Sequence, residues 1–72
     1  MEKVIGHNQL RLSALNKEDI FIVEEGSGVE LASGENEREW VLQDDRTMVS
    51  AYDIGNGWFK AMAVVSKEKV KE

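Results

Sequence analysis

The sequence predicts a mainly β protein: a small twisted antiparallel sheet or partly open barrel built from hairpins, with room for one short helix within 33–44 or near 14–19. Three observations predict it. Apolar residues come in short runs at period two, not in stripes at i, i+3, i+4 and i+7. Gly, Asn and Asp break those runs at regular intervals, as tight turns require. Asn56-Gly57 stands between two alternating apolar runs, and it is the preferred two-residue hairpin turn because both central residues need φ > 0.

Taken in order, Val4-Ile5 reads as a first strand that ends at Gly6-His7-Asn8. Leu10 and Leu12 alternate with Gln9 and Arg11 in a second strand, and Asn16-Lys17-Glu18-Asp19 is a loop or a single helical turn. Ile20-Phe21-Ile22-Val23 is β-branched and aromatic on both faces, which reads as a buried strand. Gly26-Ser27-Gly28 reads as a hairpin turn, and Val29 and Leu31 as the inward face of a short strand that Ser33-Gly34 ends. Glu35 to Asp44 is ambiguous. It holds good helix formers, and Ser33 could cap them, but its apolar residues Trp40, Val41 and Leu42 make no helical stripe, so we read a strand.

A two-residue loop at Asn56-Gly57 fixes a register. Gly55 faces Trp58, Ile54 faces Phe59, Asp53 faces Lys60 and Tyr52 faces Ala61; below them Ala51 faces Met62, Val49 faces Val64 and Met48 faces Val65. Asp53 and Lys60 then form a cross-strand opposite-charge pair. One face carries Met48, Tyr52, Ile54, Phe59 and Val65, the other Val49, Met62 and Val64. Both faces are apolar, so we expect a closed barrel or a dimer to cover the hairpin 46–66, with Tyr52, Trp58, Phe59 and Met62 as its self-association residues.

The chain of 72 residues reads as one small β domain, 1–66, with a charged tail, 67–72. With 42% hydrophobic and 32% charged residues it is globular, and with 0 Cys it has neither disulfide nor thiolate metal site. The longest unbroken apolar run, Ala61 to Val65, is far short of the ~20 residues that span a bilayer. Met1-Glu2-Lys3-Val4-Ile5-Gly6 has no apolar leader stretch, so the expected location is the cytoplasm, or the host cytoplasm for a phage-encoded chain.

No motif supplies chemistry. His7, the only histidine, lies in a turn beside Gly6 and Asn8 without a nucleophile. A calcium loop begun at Asp53 would place Gly55, Gly57 and Val64 where ligands are needed, so turn chemistry explains Asp44-Asp45 and Asp53. Gly26-Ser27-Gly28 lacks the phosphate-loop lysine and is followed by Glu30. Glu24-Glu25 and Glu37/Glu39 are paired in sequence, yet acid–base work needs a pocket that shifts one pKa. Phe21, Trp40, Tyr52, Trp58 and Phe59 could stack on bases, but no basic groove accompanies them. The expectation is a non-enzymatic protein with no catalytic residue, cofactor or metal.

The net charge of −5 conceals a division. From Glu18 to Asp53 there are 11 acids against the two bases Arg38 and Arg46, while both ends are mildly basic. Acidic turns and faces keep small β proteins soluble and guard sheet edges. They can also form a surface. If Glu35, Glu37 and Glu39 lie on one strand face they are about 6.8 Å apart, near the roughly 7 Å through-space separation of successive phosphates. In size, acidity, absence of cysteine and β content, the chain resembles small acidic phage-encoded DNA mimics that inhibit host DNA-binding proteins such as the histone-like nucleoid protein HU. The resemblance implies a binding protein whose carboxylates occupy a basic, HU-like partner and exclude its DNA, without touching nucleic acid or membrane itself. The residues expected to do so are Glu24, Glu25, Glu30, Glu35, Glu37, Glu39, Asp44 and Asp45. The alternative is a small β assembly module that associates through the apolar hairpin.

Overall fold

The computed structural model describes residues 2–67. In chain order it has β1 (Glu2–Ile5), a 3-10 turn (Leu12–Ala14), β2 (Ile20–Val23), β3 (Glu30–Ser33), β4 (Glu39–Gln43), β5 (Thr47–Gly55) and β6 (Trp58–Ser66). The strands form one sheet ordered β1-β2-β6-β5-β4-β3. The mainly β expectation holds. The sheet is open, with β1 and β3 as its edges, and it is mixed: β1 and β2 run parallel and every other neighbouring pair antiparallel.

The hairpin β5–β6 organises the rest. Its turn is the expected one, with φ of 58° at Asn56 and 83° at Gly57. Its register departs from simple counting in the middle. Gly55 faces Trp58, and Val49 and Met48 face Val64 and Val65, as the two-residue loop predicts. Between them, Asp53 faces Phe59, Tyr52 faces Lys60 and Ala51 faces Ala61. The Asp53 carboxylate accepts the Gly55 N–H at 2.8 Å, and this local turn leaves Ile54 unpaired. Lower down Met62 is unpaired on the opposite strand, so the second bulge cancels the first. The expected Asp53–Lys60 and Ile54–Phe59 pairs are therefore replaced, and two residues change sides. Phe59 turns to the core side, where it is partly buried against the core and its ring stacks on Phe21 with centroids 5.6 Å apart, and Met62 turns out.

Bulges bend strands, and here the bend folds the sheet over itself. β2 pairs only with Trp58–Lys60 near the turn, while β4 pairs with Met48–Tyr52 nearer the base. The chain must cross from β2 to β3, four strand spacings away in the sheet order, through residues 24–29. A flat sheet would demand about 19 Å of the roughly 25 Å that seven fully extended steps reach. Turns with φ of 80° at Gly26 and 82° at Gly28 shorten that reach, so a curled sheet satisfies the connection. Gly26-Ser27-Gly28 is thus a crossover turn, not the expected hairpin turn. The core lies inside the curl: Ile5, Phe21, Leu42, Val49, Ala51 and Ala61 from the strands, and Leu12 and Leu15 from the 3-10 segment.

That 3-10 segment replaces the expected strand at Leu10 and Leu12. Leu10 keeps only an isolated bridge to Ile5. In a 3-10 turn residues i and i+3 eclipse, which sends both Leu12 and Leu15 inward to seal one end of the core. Lys3 holds the segment from the sheet side, with its Nζ 2.9 Å from the Ala14 carbonyl and 2.8 Å from the Asp19 carboxylate.

The ambiguous stretch resolves as a strand only from Glu39 onward, and no α-helix occurs among the described residues. Residues 34–38 form the β3–β4 loop. Gly34 N–H donates to the Glu39 carbonyl at 2.6 Å, Glu39 N–H to the Asn36 carbonyl at 3.1 Å, and Arg38 N–H to the Asn36 side chain at 3.3 Å. A Cβ at Gly34 would lie 2.9 Å from the Glu39 Cβ, so glycine permits this closure. Lys67 opens the expected tail but is docked: its N–H donates to the Arg46 carbonyl at 2.8 Å. The rest of that tail, 68–72, lies outside the described residues.

Candidate functional surfaces

Strand register sorts every side chain of the sheet onto the core face or the outer face, because directly paired residues share a side and successive residues alternate. The outer face reads in rows. Val4, Ile22 and Trp58 form one row, followed by Glu2, Ile20, Lys60, Tyr52 and Glu39. Ala63, Ser50, Val41 and Ala32 form the third, and Val65, Met48, Gln43 and Glu30 the fourth.

The third row is a floor of small side chains between two walls. Tyr52 and the bulged Met62 stand on one side, Met48 and Val65 on the other. Val41, Ser50, Tyr52, Met62 and Glu39 line a cleft of about 370 Å³ there, together with Gly34 and Glu35 of the β3–β4 loop. Met48, Tyr52, Ile54, Met62 and Val65 are between 38% and 57% exposed. Single exposed apolar residues are ordinary; five on one bent hairpin, all away from the core, form a patch of the kind found where proteins meet.

Of the expected self-association residues, Tyr52, Trp58 and Met62 lie on this face. Phe59 does not, for the bulge at Ile54 turns it inward onto Phe21. Alternation in the sequence puts Ile54, Met48 and Val65 on an apolar face without assigning them a role, and it pairs Lys60 only with Asp53. Their signal was the alternation itself; what hid the arrangement was the pair of bulges.

The acidic residues divide into two groups. Glu30, Asp44 and Asp45 line a cleft of about 310 Å³ with Gly28, Gln43 and Lys67. Glu24 and Glu25 line the neighbouring one, which shares Gly28. Glu35 and Glu37 sit in the β3–β4 loop and Glu39 alone begins a strand, so the three do not form a same-face row at strand spacing. The turn chemistry of Gly34 and Asn36 overrides the alternation. Two further details temper the first group. The Asp44 carboxylate accepts the N–H groups of Arg46 and Thr47, both at 2.9 Å, and so shapes its own turn. The Lys67 ammonium lies 3.0 Å from Gln43 Oε1 and 2.9 Å from the Asp44 carbonyl, which brings positive charge into the cluster.

His7 is exposed in the turn after β1. At Asp19 the hydrogen bond from Lys3, then that from the Asn16 N–H, holds the carboxyl below its ordinary value against the opposing effect of burial. Both partners belong to the clamp on the 3-10 segment, so Asp19 is structural. No family model matches the chain, and neither a curated protein nor a solved structure matches it.

Proposed function

We propose that this protein is a non-enzymatic assembly module whose contact surface is the outer face of the β4–β5–β6 sheet. The observation that carries the reading is the row of small side chains, Ala32, Val41, Ser50 and Ala63, bordered by exposed Tyr52, Met62, Met48 and Val65. A floor of this kind lets another polypeptide approach the sheet closely, and the bordering side chains supply apolar area at about 25 cal/mol per Å² buried. Folding alone leaves them in water. The module contributes shape and apolar surface, and no side chain acts on a bound substrate.

A second reading draws on the acidic end. Glu24, Glu25, Glu30, Asp44 and Asp45 gather around Gly28, and there they could stand in for DNA phosphates against a basic, HU-like nucleic-acid-binding protein. Glu35, Glu37 and Glu39 make no strand-spaced row, so this reading rests on the cluster alone. One experiment separates the two. A photo-crosslinking amino acid is placed at Met62, at Glu25 or at His7 in the cells that produce the protein, and irradiated in those cells and in their lysate at low and high salt. The assembly reading expects a defined adduct from position 62 that high salt does not diminish, and none from position 7. An adduct from position 25 alone, lost in high salt, would transfer the function to the acidic end. Adducts from all three positions alike, or from none, would refute both.

A further inference from the structure

We infer that the partner covering the outer face is a second copy of the same chain, docked face to face about a two-fold axis that runs along β5. The inference rests on the reading above that this face is the contact surface, and adds what occupies it. Charge complementarity identifies the occupant. Lys60 and Glu39 flank Tyr52 in one row, each its direct register partner on either side. Two strand spacings put them roughly 10 Å apart. Both side chains are half-buried, and the ion pair found among the described residues joins Lys3 to Asp19 and leaves these two free of one another.

A partner suited to this face must present a negative group over Lys60 and a positive group over Glu39, at the same separation, with an apolar centre between. The face itself has that pattern once it is turned over. Rotation about an axis along β5 sends Lys60 of one copy onto Glu39 of the other, and Glu39 onto Lys60, giving two symmetric ion pairs. The same rotation lays Val41 against the second copy's Ala63, and sets Met48, Ser50 and Tyr52 each against its own counterpart. Such an isologous contact closes on itself and gives a dimer, not a filament. It also gives the sheet the second layer that a two-faced apolar hairpin requires.

Sedimentation equilibrium on the purified full chain tests it, with four variants: Lys60→Glu, Glu39→Lys, the double exchange, and Ser50→Arg. The wild type should be a dimer at about 100 μM, a concentration that a micromolar Kd saturates. Each single exchange sets like charges against one another at both pairs and should weaken association at least about tenfold. The double exchange restores opposite charges and should recover it. Ser50→Arg, which places two guanidinium groups on the axis, should give a monomer whose thermal melt as a folded protein is retained. A monomeric wild type, single exchanges that dimerise like the wild type, or a double exchange that fails to recover would each overturn the inference. If the wild type is monomeric while position 62 crosslinks to a different polypeptide in cells, the face is a contact surface for another protein; if it crosslinks to nothing, the contact surface itself is refuted.

Discussion

The Asp19 carboxylate lies 2.8 Å from the Lys3 ammonium and 2.7 Å from the Asn16 N–H, joining β1 to the loop that carries Leu12 and Leu15. Its pKa is held down by those two hydrogen bonds, so the folded chain takes up this proton at lower pH than the unfolded chain, which does so near an ordinary Asp value of about 3.9. The stabilisation is therefore complete above the unfolded pKa and is lost as pH falls through the folded one. Asp19→Asn should lower the melting temperature at pH 7, and the gap from wild type should close as pH falls from 5 to 2; a gap constant across that range would show that the carboxylate's charge is irrelevant. Phe59 supplies a second residue-scale expectation. Because it stacks on Phe21 inside the curl, Phe59→Ala should cost about 3 kcal/mol in denaturant unfolding. Trp58→Ala, one position along on the outer face, should cost clearly less. The reverse ranking would return Phe59 to the outer face.

At the scale of the element, the hairpin β5–β6 behaves as two straight segments joined by compensating bulges. Met62 is the extra residue of its bulge, so deleting it brings the Ser50–Ala63 pair directly beside the Ala51–Ala61 pair and leaves every pair and face beyond in place. That deletion should therefore retain cooperative unfolding, whereas deleting Ser50 from the opposite strand turns Val49 outward and Met48 inward and should abolish it. Met62→Ala keeps the bulge and trims only an exposed side chain, so it should change stability by less than about 1 kcal/mol. Equal effects of the two deletions, measured by urea denaturation, would mean that the strand can slide. The same element shows what was legible beforehand. Ile20–Val23 and the Asn56-Gly57 turn followed from composition and alternation because each is dictated locally. The three register pairs at the ends of the hairpin were legible for the same reason. The middle was not, since the bulge at Ile54 depends on the Asp53 side chain folding back onto Gly55 N–H, and the bulge at Met62 on the need to restore alternation further down. Leu10 to Leu12 misled because alternation over two apolar residues is equally compatible with the i, i+3 pairing of Leu12 and Leu15. Glu35, Glu37 and Glu39 misled because Asn36 and Gly34 make a turn where the spacing alone suggests a strand. Both faces of the hairpin were visible as apolar, and that part of the candidate surface needed no coordinates; which aromatic ring belonged to which face did.

At the scale of the whole molecule, the net charge of −5 separates the two functional readings. Two copies that dock through their outer faces bring together like-charged bodies, so the long-range part of the interaction is repulsive. The attractive Lys60–Glu39 pairs act at contact distance, well inside the Debye length of about 10 Å at 0.1 M salt, and are partly desolvated in the interface. Salt screens the repulsion between distant charges more than it screens those close pairs, and it leaves the apolar contribution intact or strengthened. Self-association should accordingly tighten as ionic strength rises from roughly 0.02 to 0.3 M. A complex with a basic partner through Glu24, Glu25, Glu30, Asp44 and Asp45 has opposite net charges, and the same change should weaken it steeply. Sedimentation equilibrium across that salt range reads the sign directly. Association that grows with salt belongs to the apolar face. Association that collapses with salt belongs to the acidic end, and would make the outer face a surface the protein leaves in water.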